Sequence, residues 1–111
     1  MPVSDDYLAY ARDLLRDFEP LTTRRMFGGV GIYSGERFFA VLADDQLYLK
    51  ADDVNRAAFE RAGLAPFTYA RKDGRSATMS YYPPPAVALD DPETLRPWVE
   101  GALAAAGRTG R

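Results

Sequence analysis

Between Arg24 and Lys50 the chain carries strand-forming runs joined by very short connections, and this segment limits the fold more than any other. Met26, Val30 and Ile32 share one parity, and Gly29, Gly31 and Tyr33 share the other. A strand over this run therefore has a second face nearly bare of side chains. Ser34-Gly35 ends it. Phe38 to Ala43 reads as a second strand, Asp44-Asp45 as a tight turn and Gln46 to Lys50 as a third strand. Parallel neighbours need a crossover of about a dozen residues or more, which these turns cannot supply, so the three strands form an antiparallel meander.

Helical patterns bracket the meander. Ser4 is a good N-cap, and Asp5 and Asp6 place carboxylates at the positive end of a helix dipole. Tyr7, Leu8, Ala11, Leu15 and Phe18 then draw one apolar stripe, which predicts a helix from Asp5 to Phe18 closed by Pro20. After the meander, Asp52 or Asp53 caps a second helix carrying Val54, Ala58, Phe59 and Ala62, with Gly63 at its left-handed end. Phe67 to Arg71 and Ser76 to Tyr82 flank Lys72-Asp73-Gly74-Arg75, a hairpin signal, and Pro83-Pro84-Pro85 stops the sheet. Asp91-Pro92-Glu93 opens a last helix with Leu95, Trp98, Val99, Ala102, Leu103 and Ala106 on one face, ending at Gly107.

The predicted order is α-β-β-β-α-β-β-α. Strands are grouped rather than alternating with helices, so the class is α+β, with a mainly antiparallel five-stranded sheet. A chain of 111 residues is the size of one domain, expected here to span 1–111 with a core over about 5–106 and a frayed tail at 107–111. The N-terminus lacks the layout of a secretory signal, and no apolar run approaches the roughly 20 residues of a membrane span. A cytoplasmic protein with no membrane attachment is the expectation.

Composition removes whole classes of chemistry. There is no cysteine and no histidine, so disulfides, thiolate or histidine metal sites, and Ser-His-Asp or Cys-His catalysis are excluded. The net charge of −2 argues against free-standing nucleic-acid binding, which needs clustered Lys and Arg. Direct DNA contact would require Arg24, Arg25, Arg37, Arg71, Lys72 and Arg75 on one surface.

The carboxylate pairs Asp5-Asp6, Asp44-Asp45, Asp52-Asp53 and Asp90-Asp91 have the residue type for acid–base or magnesium chemistry. Each falls at a helix start or hairpin turn, where Asp is favoured for its local hydrogen bonds. Gly28-Gly29-Val30-Gly31 lacks the following helix and the Gly-Lys-Ser/Thr of a phosphate loop, so a bulge or close backbone approach explains it better. Arg24-Arg25 beside Met26-Phe27 offers guanidinium groups that suit a phosphate, a carboxylate or an acidic partner patch. The candidate binding residues are thus Arg24, Arg25, Met26, Phe27, Gly28, Gly29 and Gly31. No catalytic residue, metal or cofactor is assigned. Tyr33, Tyr48, Tyr69, Tyr81 and Tyr82 fall on predicted strands, where core packing or a dimer interface accounts for them better than base stacking.

The run Arg24-Arg25-Met26-Phe27-Gly28-Gly29-Val30-Gly31-Ile32-Tyr33 resembles the signature of the TfoX N-terminal domain family, also called Sxy-like. Phe39-Ala40, Leu47-Tyr48-Leu49-Lys50, Phe59, Gly63, Pro66-Phe67-Thr68-Tyr69, Met79-Ser80-Tyr81-Tyr82, Leu89-Asp90-Asp91-Pro92 and Trp98 follow in order. The resemblance covers roughly Tyr7 to Ala106. It implies a small α+β domain similar to secretion-chaperone-like folds, in a bacterial cytoplasmic protein related to regulators of competence genes. Full-length members couple this domain to a C-terminal helical domain, so the resemblance implies an N-terminal domain standing alone here. The functional expectation is a noncatalytic interaction domain, a homodimer with a protein partner in gene regulation. The alternatives are a small-molecule or anion receptor around Arg24 to Gly31, and direct DNA binding through an arginine patch.

Overall fold

A computed structural model of the chain describes residues 2–26 and 28–109. Helix α1 (Asp5–Leu14) leads through a short 3-10 turn at Arg16–Phe18 into strands β1 (Leu21–Met26), β2 (Gly29–Ser34), β3 (Arg37–Ala43) and β4 (Gln46–Lys50). Helix α2 (Arg56–Arg61), strands β5 (Thr68–Ala70), β6 (Ser76–Thr78) and β7 (Tyr81–Tyr82), a 3-10 turn at Ala86–Asp90 and helix α3 (Pro92–Arg108) complete it. The main sheet has five strands in the order β1-β2-β3-β4-β7, every neighbouring pair antiparallel, and β5-β6 forms a separate hairpin. The α+β class and the five-stranded antiparallel sheet expected from sequence are both present.

Caps and turns form where the side chains dictate. The Tyr7 amide donates to Ser4 Oγ at 3.0 Å, and the Glu93 amide donates to Asp91 Oδ1 at 3.1 Å. Asp44 and Asp45 both have positive φ, 53° and 55°, as a two-residue turn of primed type requires. Asp45 also accepts from the Ser4 amide at 2.9 Å, which ties the start of α1 to the β3–β4 turn. Asp52 accepts from the Val54 and Asn55 amides ahead of α2.

Some boundaries differ from the expectation. The run expected as one strand from Arg24 is a hairpin, because Gly28 at φ 79° turns the chain and Met26 pairs with Gly29. Met26 therefore shares the face of Gly29 and Gly31, not that of Val30 and Ile32. The first helix loses its regular bonding after Leu14 and tightens into the 3-10 turn. Val54 lies before α2 and is exposed. Helix α3 passes through Gly107 to Arg108, since the Arg37 guanidinium lies against Gly107 and donates to the Leu103 carbonyl at 3.2 Å.

The two faces of the sheet are covered unequally. Val30, Ile32, Ala40, Leu42, Leu47 and Leu49 share one face and are sealed beneath the helices by Ala11, Leu15, Phe59, Leu95, Val99 and Ala102. Each fully buried Val, Leu or Ile side chain among them contributes about 1.5–3 kcal/mol. A register shift opposite Ile32/Tyr33 leaves Phe39 without a partner, and it joins this core. The opposite face carries a small cluster of Ala43, Phe67 and Tyr81, with Val41, Tyr48 and Met79 against it.

Candidate functional site

Among the described residues, the second face of the sheet is roofed only by the β5–β6 hairpin, and the roof does not close. One backbone bond ties the hairpin to the sheet, the Phe67 amide to the Tyr81 carbonyl at 2.8 Å, and the Met79 amide to the Phe67 carbonyl at 2.9 Å closes the base of the hairpin itself. Beneath it lies a groove of about 500 Å3. Met26, Gly29, Phe38, Val41 and Ala43 line the sheet side, and Phe67, Tyr69, Lys72 and Met79 the hairpin side. This volume is within the range of small-ligand sites, and the walls are apolar apart from the Tyr69 hydroxyl and the Lys72 ammonium.

The glycines of β2 shape the floor. A Cβ at Gly31 would come within 2.7 Å of Met26 Cε and 2.9 Å of a Phe38 ring carbon. The bare position is thus occupied by two neighbouring side chains folded over it. A Cβ at Gly29 would stand 2.5 Å from the Leu42 carbonyl oxygen, which is backbone and cannot swing away. The glycine run serves a close approach of strands and side chains.

Of the sequence-selected residues, Met26 and Gly29 line the groove, Gly31 lies beneath Met26, and Gly28 makes the turn. Phe27 lies outside the described residues. The two arginines part company: Arg24 pairs across the ladder with Gly31, whereas Arg25 pairs with Val30 and points to the helical side. There its guanidinium meets Asp5 at 3.3 Å. Adjacent strand residues face opposite ways, so Arg24 and Arg25 do not form a joint clamp. The wider basic set is divided too, with Arg37 of β3 bonded to the Leu103 carbonyl of α3 and Arg71 and Arg75 both at Asp73 on the hairpin tip.

Sequence reasoning passed over Phe38, Val41 and Met79 as site residues, and took Lys72 only as part of a basic patch for DNA. The readable signal was that Val41 and Ala43 alternate with Leu42 and Ala40, so β3 is apolar on both faces and both must be covered.

The strand tyrosines are mostly taken up by packing. Tyr82 stacks on Phe59 with centroids 5.0 Å apart, Tyr48 meets Phe67 at 4.8 Å, and Tyr33 stacks on Phe38 at 4.8 Å. Burial, with the nearby Tyr33, pushes the Tyr81 hydroxyl up to about 12, and the Lys50 ammonium lies 5.2 Å from its ring centroid. Burial also raises the Tyr48 hydroxyl. Asp45, Asp52 and Asp91, one from each of three carboxylate pairs, accept from backbone amides at turns and helix starts. Asp52 is in addition held down to about 2, first by the Arg108 guanidinium, which donates to both its oxygens at 2.6 and 2.9 Å.

The TfoX N-terminal domain family matches residues 13–106, which takes in the sheet, the hairpin and nearly all of α3. The chain belongs to this family. Within it, the DNA transformation protein TfoX1 of Aliivibrio fischeri is 30% identical over 80 residues. The aligned part is 72% of this chain and 38% of TfoX1, so the chain spans about two-fifths of the length of that relative. The groove of this TfoX N-terminal domain falls wholly inside the matched residues. Among the described residues, no helix is long and apolar enough to cross a membrane.

Proposed function

We propose that the chain is a noncatalytic regulatory domain that acts in DNA transformation through binding, with the hairpin-roofed groove as its working surface and protein contacts as its output. The observation that carries this reading is the groove itself. It is a concave apolar surface on a sheet face that the helices leave uncovered, inside residues 13–106 that match the family, and the chain is similar to a protein named for DNA transformation. The engagement of Asp52 and Asp91 in local structure also favours binding over reaction.

Filling the groove tests it. Val41 is half-buried on β3, a strand position that accepts an aromatic side chain, and Val41→Trp would occupy the space between sheet and hairpin. In a naturally transformable host whose own copy has been deleted, wild-type chain should restore the frequency of DNA uptake. Val41→Trp, checked for an unchanged circular dichroism spectrum, should not. Full restoration by the filled variant would remove the groove from the function.

A further inference from the structure

We infer that the groove holds a single small amphipathic anion, with an apolar acyl or aryl body under the hairpin and a carboxylate or similar head at Lys72. The inference rests on the groove being the working surface, and it adds the chemistry of the occupant.

Three observations point to it. The lining is apolar along the body of the groove, with Met26, Phe38, Val41, Phe67 and Met79 contributing thioether, aromatic and aliphatic surface. Two of these are methionines, whose flexible side chains adapt to varied apolar shapes. The charge in the lining is of one sign: among the described residues, Lys72 is its sole ionisable side chain apart from the Tyr69 phenol, and no carboxylate belongs to it. Lys72 makes no ion pair among the described residues, whereas Arg71 and Arg75 beside it share Asp73 at 3.8 and 3.2 Å. An ammonium left free next to an apolar hollow selects a ligand with an apolar body and an anionic end. The hairpin above is held by few bonds and strands of three residues each, so it can lift to admit such a molecule.

The probes are three ten-carbon compounds differing only at the head: decanoate, decan-1-ol and decyltrimethylammonium, each as monomers below its self-association limit. Ligand binding to the native state raises its melting temperature. Decanoate should raise it by several degrees, decanol by less, and the cation should give no rise. Lys72→Gln, at an exposed position that leaves the fold intact, should weaken decanoate binding by about ten- to a hundredfold and leave decanol unchanged. Equal binding of all three compounds, or decanoate affinity unmoved in Lys72→Gln, would overturn the inference. So would binding to phosphatidylglycerol vesicles without binding of monomeric decanoate, since the surface would then be read by a bilayer. Failures are separable. Loss of DNA uptake in Val41→Trp with no decanoate binding by wild type removes the ligand and keeps the groove. Decanoate binding with uptake intact in that variant keeps the ligand and removes the proposed function.

Discussion

At the scale of single residues, what matters most is the contrast between Gly29 and Gly31. Both look alike in sequence, as bare positions on one face of a strand. Gly29 abuts the Leu42 carbonyl, a backbone atom, and Gly31 abuts the ends of Met26 and Phe38. Gly29→Ala should therefore cost about 1–3 kcal/mol, since the added methyl can be housed only by moving β3. Gly31→Ala should cost less and reshape the groove instead, because Met26 can take another rotamer. Urea unfolding of the two variants checks the order, and equal losses would contradict it. Electrostatics at the same scale centre on Asp52. Its carboxyl is held at about 2 when folded against an ordinary 3.8, so the stability it adds is complete above about pH 4 and lost as the pH falls from 4 to 2. Asp52→Asn keeps an oxygen acceptor for the Val54 and Asn55 amides and removes both the charge facing Arg108 and the oxygen that accepts from its Nε. The pair is partly exposed, so the variant should melt about 2–4 °C lower than wild type at pH 7. The two should converge at pH 2, and a difference that persists there would assign the effect to something other than the ion pair.

At the scale of elements, the legible parts were those fixed by local chemistry. Ser4, the Asp44-Asp45 turn, Gly63 and the Asp91-Pro92-Glu93 start each carry their own instruction and appear where expected. Non-local choices were not legible. Nothing in Arg24 to Tyr33 says that the chain doubles back at Gly28, because the competing single strand satisfies the same alternation, and only pairing with β3 decides between them. The groove was half legible: Met26 and Gly29 were singled out with their neighbours, but Phe67, Lys72 and Met79 arrive from a hairpin whose docking no spacing encodes. Helix α3 carries a local misfit of its own in Pro97, which stands inside the helix on its exposed side and cannot donate to the Glu93 carbonyl. Pro97→Ala should stabilise the protein by about 1–3 kcal/mol, read as a higher urea midpoint at unchanged slope. An unchanged midpoint would mean that the helix is already relaxed around the proline.

At the scale of the whole molecule, the sheet separates two bodies of packing of very different size. The helical side holds a continuous core from Leu15 through Leu49 to Val99, while on the hairpin side the buried cluster among the described residues is Ala43, Phe67 and Tyr81. Local opening free energy follows the apolar contact that each unit would lose, so the hairpin should open on its own, well below the cost of global unfolding. Amides of β5 and β6 should exchange with solvent much faster than those of β2 and β3. Phe67 is the pin: its backbone bonds to both Tyr81 and Met79, and its ring packs on Tyr48 and Tyr69. Phe67→Ala should release the hairpin, bringing its amides close to unprotected rates, and leave the slowest amides of β2 and β3 lowered by only about tenfold. Val99→Ala on the other side should reduce protection across the main sheet, because the protein then loses part of the core on which every strand depends. Native-state hydrogen exchange on the two variants separates these patterns. If Phe67→Ala lowered the protection of all strands equally, the hairpin and sheet would be one cooperative unit, and entry to the groove would require the whole domain to unfold.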